Sequence, residues 1–409
     1  MELLSPAGNL EKLKYAYLYG ADAAYIGIGD FSLRVKADNF HDDDARTIPA
    51  IKAERRLYCA LNIYFHRDDL ERLNGQLDYI AAYPFDAFII SDLGIVPLIR
   101  RRFPRAALHL STQANCINAE AARMYHDMGF SRVILGREVT LEEAADIKAK
   151  NPGLELEAFV HGAMCLAYSG RCFLSAWMAG RSGNQGKCAH SCRWKYRVLE
   201  EAERPGEYFP IAEHDGGFST ILSSRDLCMI DHLAKIKTAG IDAVKIEGRM
   251  KSLYYTALVT RAYRKHLDAL EAGCAGRPDL SAQDLAVYRE DLFRVSHREY
   301  CTGFYFGRGE VQRPTEAEYL EHHVFLGTIG REVSPGVYEM DIRNQIPAGG
   351  TIEYTGPSLH CAGDSAYVLL GEDGLPLPKA DHGHKARIRP GVPVQPGYIM
   401  RRAKTARCF

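Results

Sequence analysis

The chain has 409 residues, with 51 Lys or Arg and 52 Asp or Glu, so its formal charge is −1. This length suffices for two or three domains, and a charge near zero excludes a global field that would attract nucleic acid, so any such surface must be local. No run approaches the roughly 18 to 20 apolar residues that span a bilayer. Residues 1–6 lack the basic and apolar segments of a signal peptide, so we expect a cytoplasmic protein with no membrane partner.

Short apolar runs typical of strands alternate with segments of helical spacing from the first residue onward. The predicted strands are 1–4, 24–28, 57–64, 87–91, 107–112, 132–135, 155–161 and 243–247. The predicted helices are 10–19, 69–82, 119–128, 141–149 and 227–239. These repeated units favour an α/β fold, a (β/α)8 TIM-like barrel, over an open doubly wound sheet. No Gly-x-Gly-x-x-Gly follows the first strand, which weakens a dinucleotide-binding version of the open sheet.

The pattern breaks after the seventh strand. We predict a TIM-like barrel over residues 1–270, with a cysteine-rich insertion at 163–225. The insertion follows the end of a barrel strand, which is where active sites of this fold are built. A helical connector is predicted at 271–320. Short alternating runs at 324–328, 337–341, 351–354, 366–370 and 385–388 then indicate a small all-β barrel domain with a basic tail at 321–409.

Four of the eleven cysteines, Cys165, Cys172, Cys188 and Cys192, stand close together in the insertion. Thiols stay reduced in the cytoplasm, so metal ligation or catalysis is favoured over disulfides. The irregular spacing does not match paired zinc knuckles and favours an iron–sulfur cluster, with zinc and plain buried thiols as alternatives. Cys228 follows at a predicted helix start, where the helix dipole would favour its thiolate.

The same region has no Asp or Glu from residue 158 to residue 199. It carries six cationic residues: Arg171, Arg181, Lys187, Arg193, Lys195 and Arg197. This composition predicts a local anion site, and the interleaved Trp194 and Tyr196 suit stacking on a nucleobase. A solvated basic loop, or charge that balances the thiolates, is the alternative interpretation.

Several short stretches of the chain are specific enough to compare with known families. The most specific are EAFVHGAMC at 157–165, GRCFLS at 170–175 and GRSGNQGKC at 180–188. Together with SPAG at 5–8, YIG at 25–27, KIEGRMKS at 245–252 and TGFYFG at 302–307, they resemble the collagenase-like peptidases, also called U32 peptidases. The C-terminal part, with RN at 343–344 and YTGP at 354–357, is similar to the branch of the family that is linked to transfer-RNA hydroxylation.

The resemblance implies hydroxylation of RNA with a 4Fe-4S cluster as cofactor. It implies Cys165, Cys172, Cys188 and Cys228 as cluster ligands, with Cys192 as a neighbour or an alternate ligand. In this branch the product is 5-hydroxyuridine at the wobble position of tRNA, and prephenate is the co-substrate. RNA would dock on the basic insertion and on a C-terminal group of Arg401, Arg402, Lys404 and Arg407.

Polar residues at strand ends are expected to line the pocket: Asn62, Asp92, Gln113, Arg137, Glu157, His161, Lys245, Glu247 and Arg249. Glu157 and His161 flank the cysteine motif and are predicted to be catalytic, as proton donor or acceptor. The predicted substrate-binding residues are Arg171, Arg181, Lys187, Arg193, Lys245, Glu247 and Arg249.

Two other functions stay open. A peptidase could use Cys165 with His161, although no His-Glu-x-x-His or Gly-x-Ser-x-Gly is present. A non-catalytic iron–sulfur or RNA-binding subunit would need a partner enzyme. An electron donor or partner protein is left open in either case.

Overall fold

Strands and helices alternate through the first part of the chain, and strands alone make up its end. The structure, a computed structural model, describes residues 1–33, 40, 44–165, 167–193, 212–214, 218–220, 224–274, 281–307 and 320–404. The helices are α1 Leu10–Leu18, α2 Asp44–Lys52, α3 Arg67–Gly75, α4 Leu77–Ala81, α5 Val96–Arg102, α6 Ala119–Asp127, α7 Leu141–Lys150, α8 Leu174–Ala179, α9 Leu233–Thr238, α10 Leu253–Cys274 and α11 Ala282–Arg294. Strands β1 to β12 are β1 Glu2–Pro6, β2 Ala23–Gly27, β3 Arg56–Leu61, β4 Ala87–Ile90, β5 Ala107–Leu110, β6 Arg132–Ile134, β7 Glu155–Ala163, β8 Ala212–His214, β9 Phe218–Thr220, β10 Asp226–Cys228, β11 Ala243–Ile246 and β12 Tyr300–Cys301. The later strands are β13 His323–Ser334, β14 Val337–Ile342, β15 Ile346–Pro347, β16 Ile352–Thr355, β17 Ala362–Asp364, β18 Val368–Leu370, β19 Lys379–Ala380, β20 Arg387–Arg389 and β21 Ile399–Ala403.

Eight parallel strands close into a barrel, as the sequence predicts. β1 to β7 pair in chain order, and β11 closes the ring by pairing with both β7 and β1. All eight predicted strands are present, with ends that differ by a few residues. Their carboxyl ends meet at one rim of the barrel, which is where the loops that carry chemistry in this fold converge.

One predicted helix begins later than its pattern indicates. Residues 226–228 form β10, and the helix starts only at Leu233. β10 pairs antiparallel with the end of the long strand β7 and parallel with β12. Pairing with an extended neighbour thus overrides the helical spacing of residues 227–239, as tertiary context commonly does with local patterns.

A second sheet forms most of the chain after residue 322. Its seven antiparallel strands follow the order β17-β16-β21-β13-β14-β20-β18 and make a half-barrel. Five of them, β13, β14, β16, β18 and β20, match the predicted short runs. The sheet has its own apolar core, in which Leu326, Tyr354, Ile388 and Met400 are buried.

Arg401 on β21 joins the half-barrel to the helices outside the barrel. Its side chain is fully buried, with Nε 2.8 Å from Glu353 Oε2 and NH1 3.4 Å from Asp291 Oδ1 on α11. The prediction that Arg401 binds RNA is therefore wrong, because its charge is neutralised out of reach of solvent. Lys404 is ion-paired, and Arg407 lies outside the described residues.

Candidate active site at the barrel mouth

A cavity of about 150 Å³ lies at the rim where the barrel strands end. Besides cysteines, its polar lining residues are Asn62, Ser111, Thr112, Gln113, Arg137, His190, Lys245, Glu247 and Arg249. Six of these are polar residues that the sequence places at strand ends: Asn62, Gln113, Arg137, Lys245, Glu247 and Arg249. Asp92 is not among the lining residues, and its carboxylate accepts hydrogen bonds from the N–H groups of Phe65 and Gly94.

Four cysteines line the cavity together: Cys165, Cys172, Cys188 and Cys192. A Cβ placed on Gly183 would lie 3.5 Å from the Cβ of Cys172 and 3.8 Å from that of Cys188, so the two thiols flank this glycine. The N–H of His190 donates to Cys188 Sγ at 3.4 Å. Hydrogen bonds of this kind tune the sulfur ligands of iron–sulfur clusters.

The loop that carries these thiols is held by Arg181. Its Nε and NH2 each donate at 3.1 Å, to the carbonyl oxygens of Lys187 and Cys188 respectively. Ser175 in α8 donates to the carbonyl of Arg181 at 2.6 Å and accepts from the N–H of Ala189 at 2.8 Å. Arg181, predicted to bind substrate, therefore has its guanidinium engaged in positioning the cysteine loop.

Two of the other predicted cationic residues are exposed beside this loop. Arg171 donates through Nε to the carbonyl of Gln113 at 3.0 Å, and Lys187 extends into solvent. Neither forms an ion pair within the described part of the chain. The side chain of Arg193 lies outside the described residues.

Cys228 stands apart from the four cysteines of the cavity. It lines a different pocket, with Asp231, Arg289 and Tyr300, on the outer side of β10. Burial raises the pKa of its thiol to about 11, and the Tyr263 hydroxyl lies 4.0 Å from Sγ. The expected helix-start thiolate is thus wrong, because residue 228 ends a strand instead of beginning a helix.

A buried ion network lies beneath the cavity inside the barrel. Glu157 is 0% exposed, and its Oε1 and Oε2 lie 2.8 Å from Lys245 Nζ and 3.0 Å from Arg132 NH1. Burial would raise the pKa of Glu157, but the charges of Lys245 and Arg132 together hold it below its ordinary value. Burial lowers the pKa of Lys245, and the carboxylate of Glu157 offsets part of that effect. Glu157 does not line the cavity. Its contribution to the cavity is the ion pair that positions Lys245.

His161 faces away from the cavity because β7 contains a bulge. Phe159 pairs with Lys245 while His161 pairs with Ile246, so β7 has one extra residue there. A bulge breaks the alternation of faces, and His161 shares the outward face of Ile246. Its ring nitrogens lie 3.4 and 3.5 Å from the hydroxyls of Tyr263 and Tyr300, and burial lowers its pKa to about 3. His161 therefore lies beside Cys228, with which it pairs across β7 and β10, and away from the four cysteines of the cavity.

Arg137 and Gln113 form a polar wall of the cavity. The Arg137 guanidinium stacks on the Phe159 ring at 4.2 Å and makes no ion pair with any described residue. Gln113 Nε2 and Arg137 NH1 lie 2.6 and 4.0 Å from the position of a Cβ on Gly170. The Gln113 Oε1 atom is buried without a hydrogen-bond partner in the described part of the chain. This wall therefore offers a charge and an amide to a ligand.

His190 is a lining residue that the sequence reasoning missed. It lies between Cys188 and Cys192, so its position in the cysteine motif was the available signal. Within the described ranges, no three His, Cys, Asp or Glu side chains converge closely enough to hold a single metal ion.

The helices of the described part are all too short or too polar to cross a membrane.

Comparison with known proteins finds similarity over most of the chain. Residues 8–314 match the model of the family described as peptidase family U32. The tRNA hydroxylation protein P of Escherichia coli (strain K12) is 34% identical over 405 residues, 87% of this chain and 86% of that protein. The tRNA hydroxylation protein P1 of Bacillus subtilis (strain 168) is 34% identical over 409 residues, 98% and 95% of the two chains. A protein named collagenase from Porphyromonas gingivalis (strain ATCC BAA-308 / W83) is 30% identical over 374 residues, 87% of each chain.

Proposed function

Because this chain belongs to peptidase family U32, and two relatives that match most of its length are named tRNA hydroxylation proteins, we propose that it is an RNA-modifying hydroxylase. Its substrate in this proposal is tRNA, and its product is 5-hydroxyuridine at the wobble position. The observation that carries the proposal is the 34% identity over 98% of the chain to a relative of that name.

The cysteines of the cavity suit an iron–sulfur cofactor. Cys165, Cys172 and Cys188 belong to the predicted ligand set and line the same cavity as Cys192. Four thiolates on one cavity are the donor set that such a cluster takes. When bound, a 4Fe-4S cluster would supply iron that can ligate a substrate oxygen or pass electrons.

The fourth ligand has two candidates that an experiment separates. The cavity favours Cys192, which lines it, whereas the family resemblance implies Cys228, which lines another pocket. Purification without oxygen of the Cys192→Ser and Cys228→Ser proteins, followed by iron and sulfide analysis, identifies the ligand as the one whose replacement removes iron.

The polar wall of Arg137 and Gln113 suits a small anion such as prephenate, the proposed co-substrate. Lys245 is already neutralised by Glu157, so Arg137 supplies the charge that no described carboxylate compensates. A guanidinium binds a carboxylate through parallel N–H bonds, and Gln113 Oε1, which has no partner among the described residues, can accept a hydrogen bond from a hydroxyl of the same ligand. In this proposal Arg137 and Gln113 orient the co-substrate.

Peptidase activity is the second candidate, and the relative named collagenase is the observation that favours it. Its nucleophile would need a histidine base within hydrogen-bond reach. His161, which the sequence offered as the partner of Cys165, faces away from the cavity. Among the described residues, His190 is the one histidine on the cavity wall, and its backbone N–H donates to Cys188 Sγ.

The hydroxylase proposal is tested by nucleoside analysis of tRNA from a strain that lacks every copy of the gene. Complementation with the wild-type chain should restore 5-hydroxyuridine derivatives, and the Cys172→Ser chain should not. Purified wild-type protein given tRNA, prephenate and a reductant distinguishes a catalyst from a subunit that needs a partner enzyme. Unchanged nucleosides in the deletion strain, with gelatin cleavage by the pure protein, would favour the peptidase instead.

A further inference from the structure

Two large aromatic side chains stand exposed beside the cavity. Phe173 is 77% exposed and Trp177 is 72% exposed. The backbone N–H of Trp177 donates to the carbonyl of Phe173 at 3.0 Å. Phe173 immediately precedes α8 and Trp177 lies one helical turn further on, so the two side chains project from the same side. Phe173 directly follows Cys172, which lines the cavity. The pair therefore forms an aromatic ledge, defined here as Phe173 and Trp177, at the rim of the site.

The charge around the aromatic ledge is positive. Arg171 and Lys187 are exposed near it and form no ion pair within the described ranges. The segment that carries the aromatic ledge has no Asp or Glu from residue 158 to residue 199. Exposed aromatic rings among uncompensated cations match the chemistry of a nucleic-acid strand, in which flat bases alternate with phosphates.

We propose that Phe173 and Trp177 are a stacking platform for unpaired nucleobases of the RNA substrate, next to the base that enters the cavity. This inference rests on the proposed function and adds the residues that hold the RNA. An unpaired loop is the expected ligand, because bases inside a duplex are stacked on one another and cannot present their faces to a protein ring. Arg171 and Lys187 would contact the phosphates on either side.

The first test uses the fact that the chain has two tryptophans, Trp177 and Trp194. The Trp194→Phe protein leaves Trp177 as the sole tryptophan, and its emission should be quenched when a hairpin RNA with an unpaired uridine-rich loop is added. A duplex RNA of equal length should quench it far less at the same bound fraction. Binding is followed independently by the anisotropy of a fluorophore on the RNA.

The second test measures affinity for the same hairpin at constant salt. Replacing a stacking aromatic residue by Ala commonly costs about 1–3 kcal/mol per base, so Phe173→Ala and Trp177→Ala should each weaken binding roughly 5- to 150-fold. Leu375→Ala removes an apolar side chain of similar exposure, 63%, from the half-barrel and should leave affinity unchanged. The aromatic variants should keep the slope of log K against log salt, whereas Lys187→Ala should reduce it by about 1. Unchanged melting temperatures confirm that the variants fold.

Four results would overturn the inference, and they also separate it from the proposed function. If RNA binds without changing Trp177 emission, or if both Ala variants bind normally while the wild type hydroxylates tRNA, the platform is wrong and the hydroxylase stands. If the aromatic residues are needed only for binding anionic vesicles or a protein, the platform is also wrong. If the wild-type protein neither binds nor modifies RNA, both proposals fall.

Discussion

Replacing Glu157 with Gln should destabilise the barrel strongly although it changes only one functional group. The wild-type carboxylate is completely buried and forms ion pairs with two cations, Lys245 and Arg132. Removing one member of a buried ion pair leaves an uncompensated charge and costs about 3–5 kcal/mol. Gln keeps the volume and can still accept one hydrogen bond, so we expect a loss of about 3 kcal/mol in the free energy of unfolding, at the lower end of that range.

Glu155→Gln is the matched control on the same strand. Glu155 also pairs with Arg132, at 2.8 Å, but its side chain is 47% exposed. Exposed pairs contribute about 0–1 kcal/mol, because water screens the charges. Urea unfolding followed by circular dichroism should therefore separate the two variants at pH 7. Similar losses in Glu157→Gln and Glu155→Gln would refute the view that burial decides the strength of this network.

A double-mutant cycle and a pH series test whether the unpaired buried charge causes this loss of stability. Lys245→Met in the Glu157→Gln background removes the stranded amine, so the double variant should lose less stability than the two single losses added together, by about 1–3 kcal/mol. The folded-state pKa of Glu157 is below its ordinary value of 4.5, so its contribution is complete above that pH and disappears as the pH falls further. The gap between wild type and Glu157→Gln should shrink in acid, and a gap that widens there would contradict the assigned ionisation.

Three other substitutions have distinct expected outcomes. Cys172→Ser should lower the iron content of protein purified without oxygen, whereas Cys116→Ser, at a buried thiol outside the cavity, should retain it. Arg137→Gln should raise the KM for the anionic co-substrate roughly 10- to 100-fold, as expected for a lost charge-assisted hydrogen bond, with the KM for tRNA unchanged; equal changes in both would contradict its assigned ligand. Arg401→Gln should lower the free energy of unfolding by about 3–5 kcal/mol without weakening RNA binding, and weakened binding in folded protein would return Arg401 to the RNA surface.

Local patterns in the sequence were enough for the architecture. Alternating apolar runs and helical spacing depend on neighbouring residues, so the eight barrel strands and five strands of the half-barrel were predictable. The break after β7 also predicted where the site would lie, since the ends of barrel strands share one rim. Four clustered cysteines were visible for the same reason, because the chain brings them close before it folds.

The directions in which side chains point were decided by tertiary structure alone. His161 follows Phe159 by two residues and would share its inward face in a regular strand, but the bulge against Ile246 turns it outward. Cys228 joined a strand because β7 offers its edge there, which directs the thiol to another pocket.

Burial of charge and exposure of aromatic residues likewise needed the fold. The sequence predicts Arg401 to be part of a basic tail, yet contact between α11 and β21 buries its side chain against Asp291. From the sequence, Phe173 is an ordinary apolar residue, yet its side chain is exposed just before the short helix α8 and next to Cys172 of the cavity. Near neighbours along the chain are enough to predict which elements form and which reactive side chains gather at the barrel mouth. Which of those side chains face the cavity depended on pairing between distant strands, and only the folded chain contains that information.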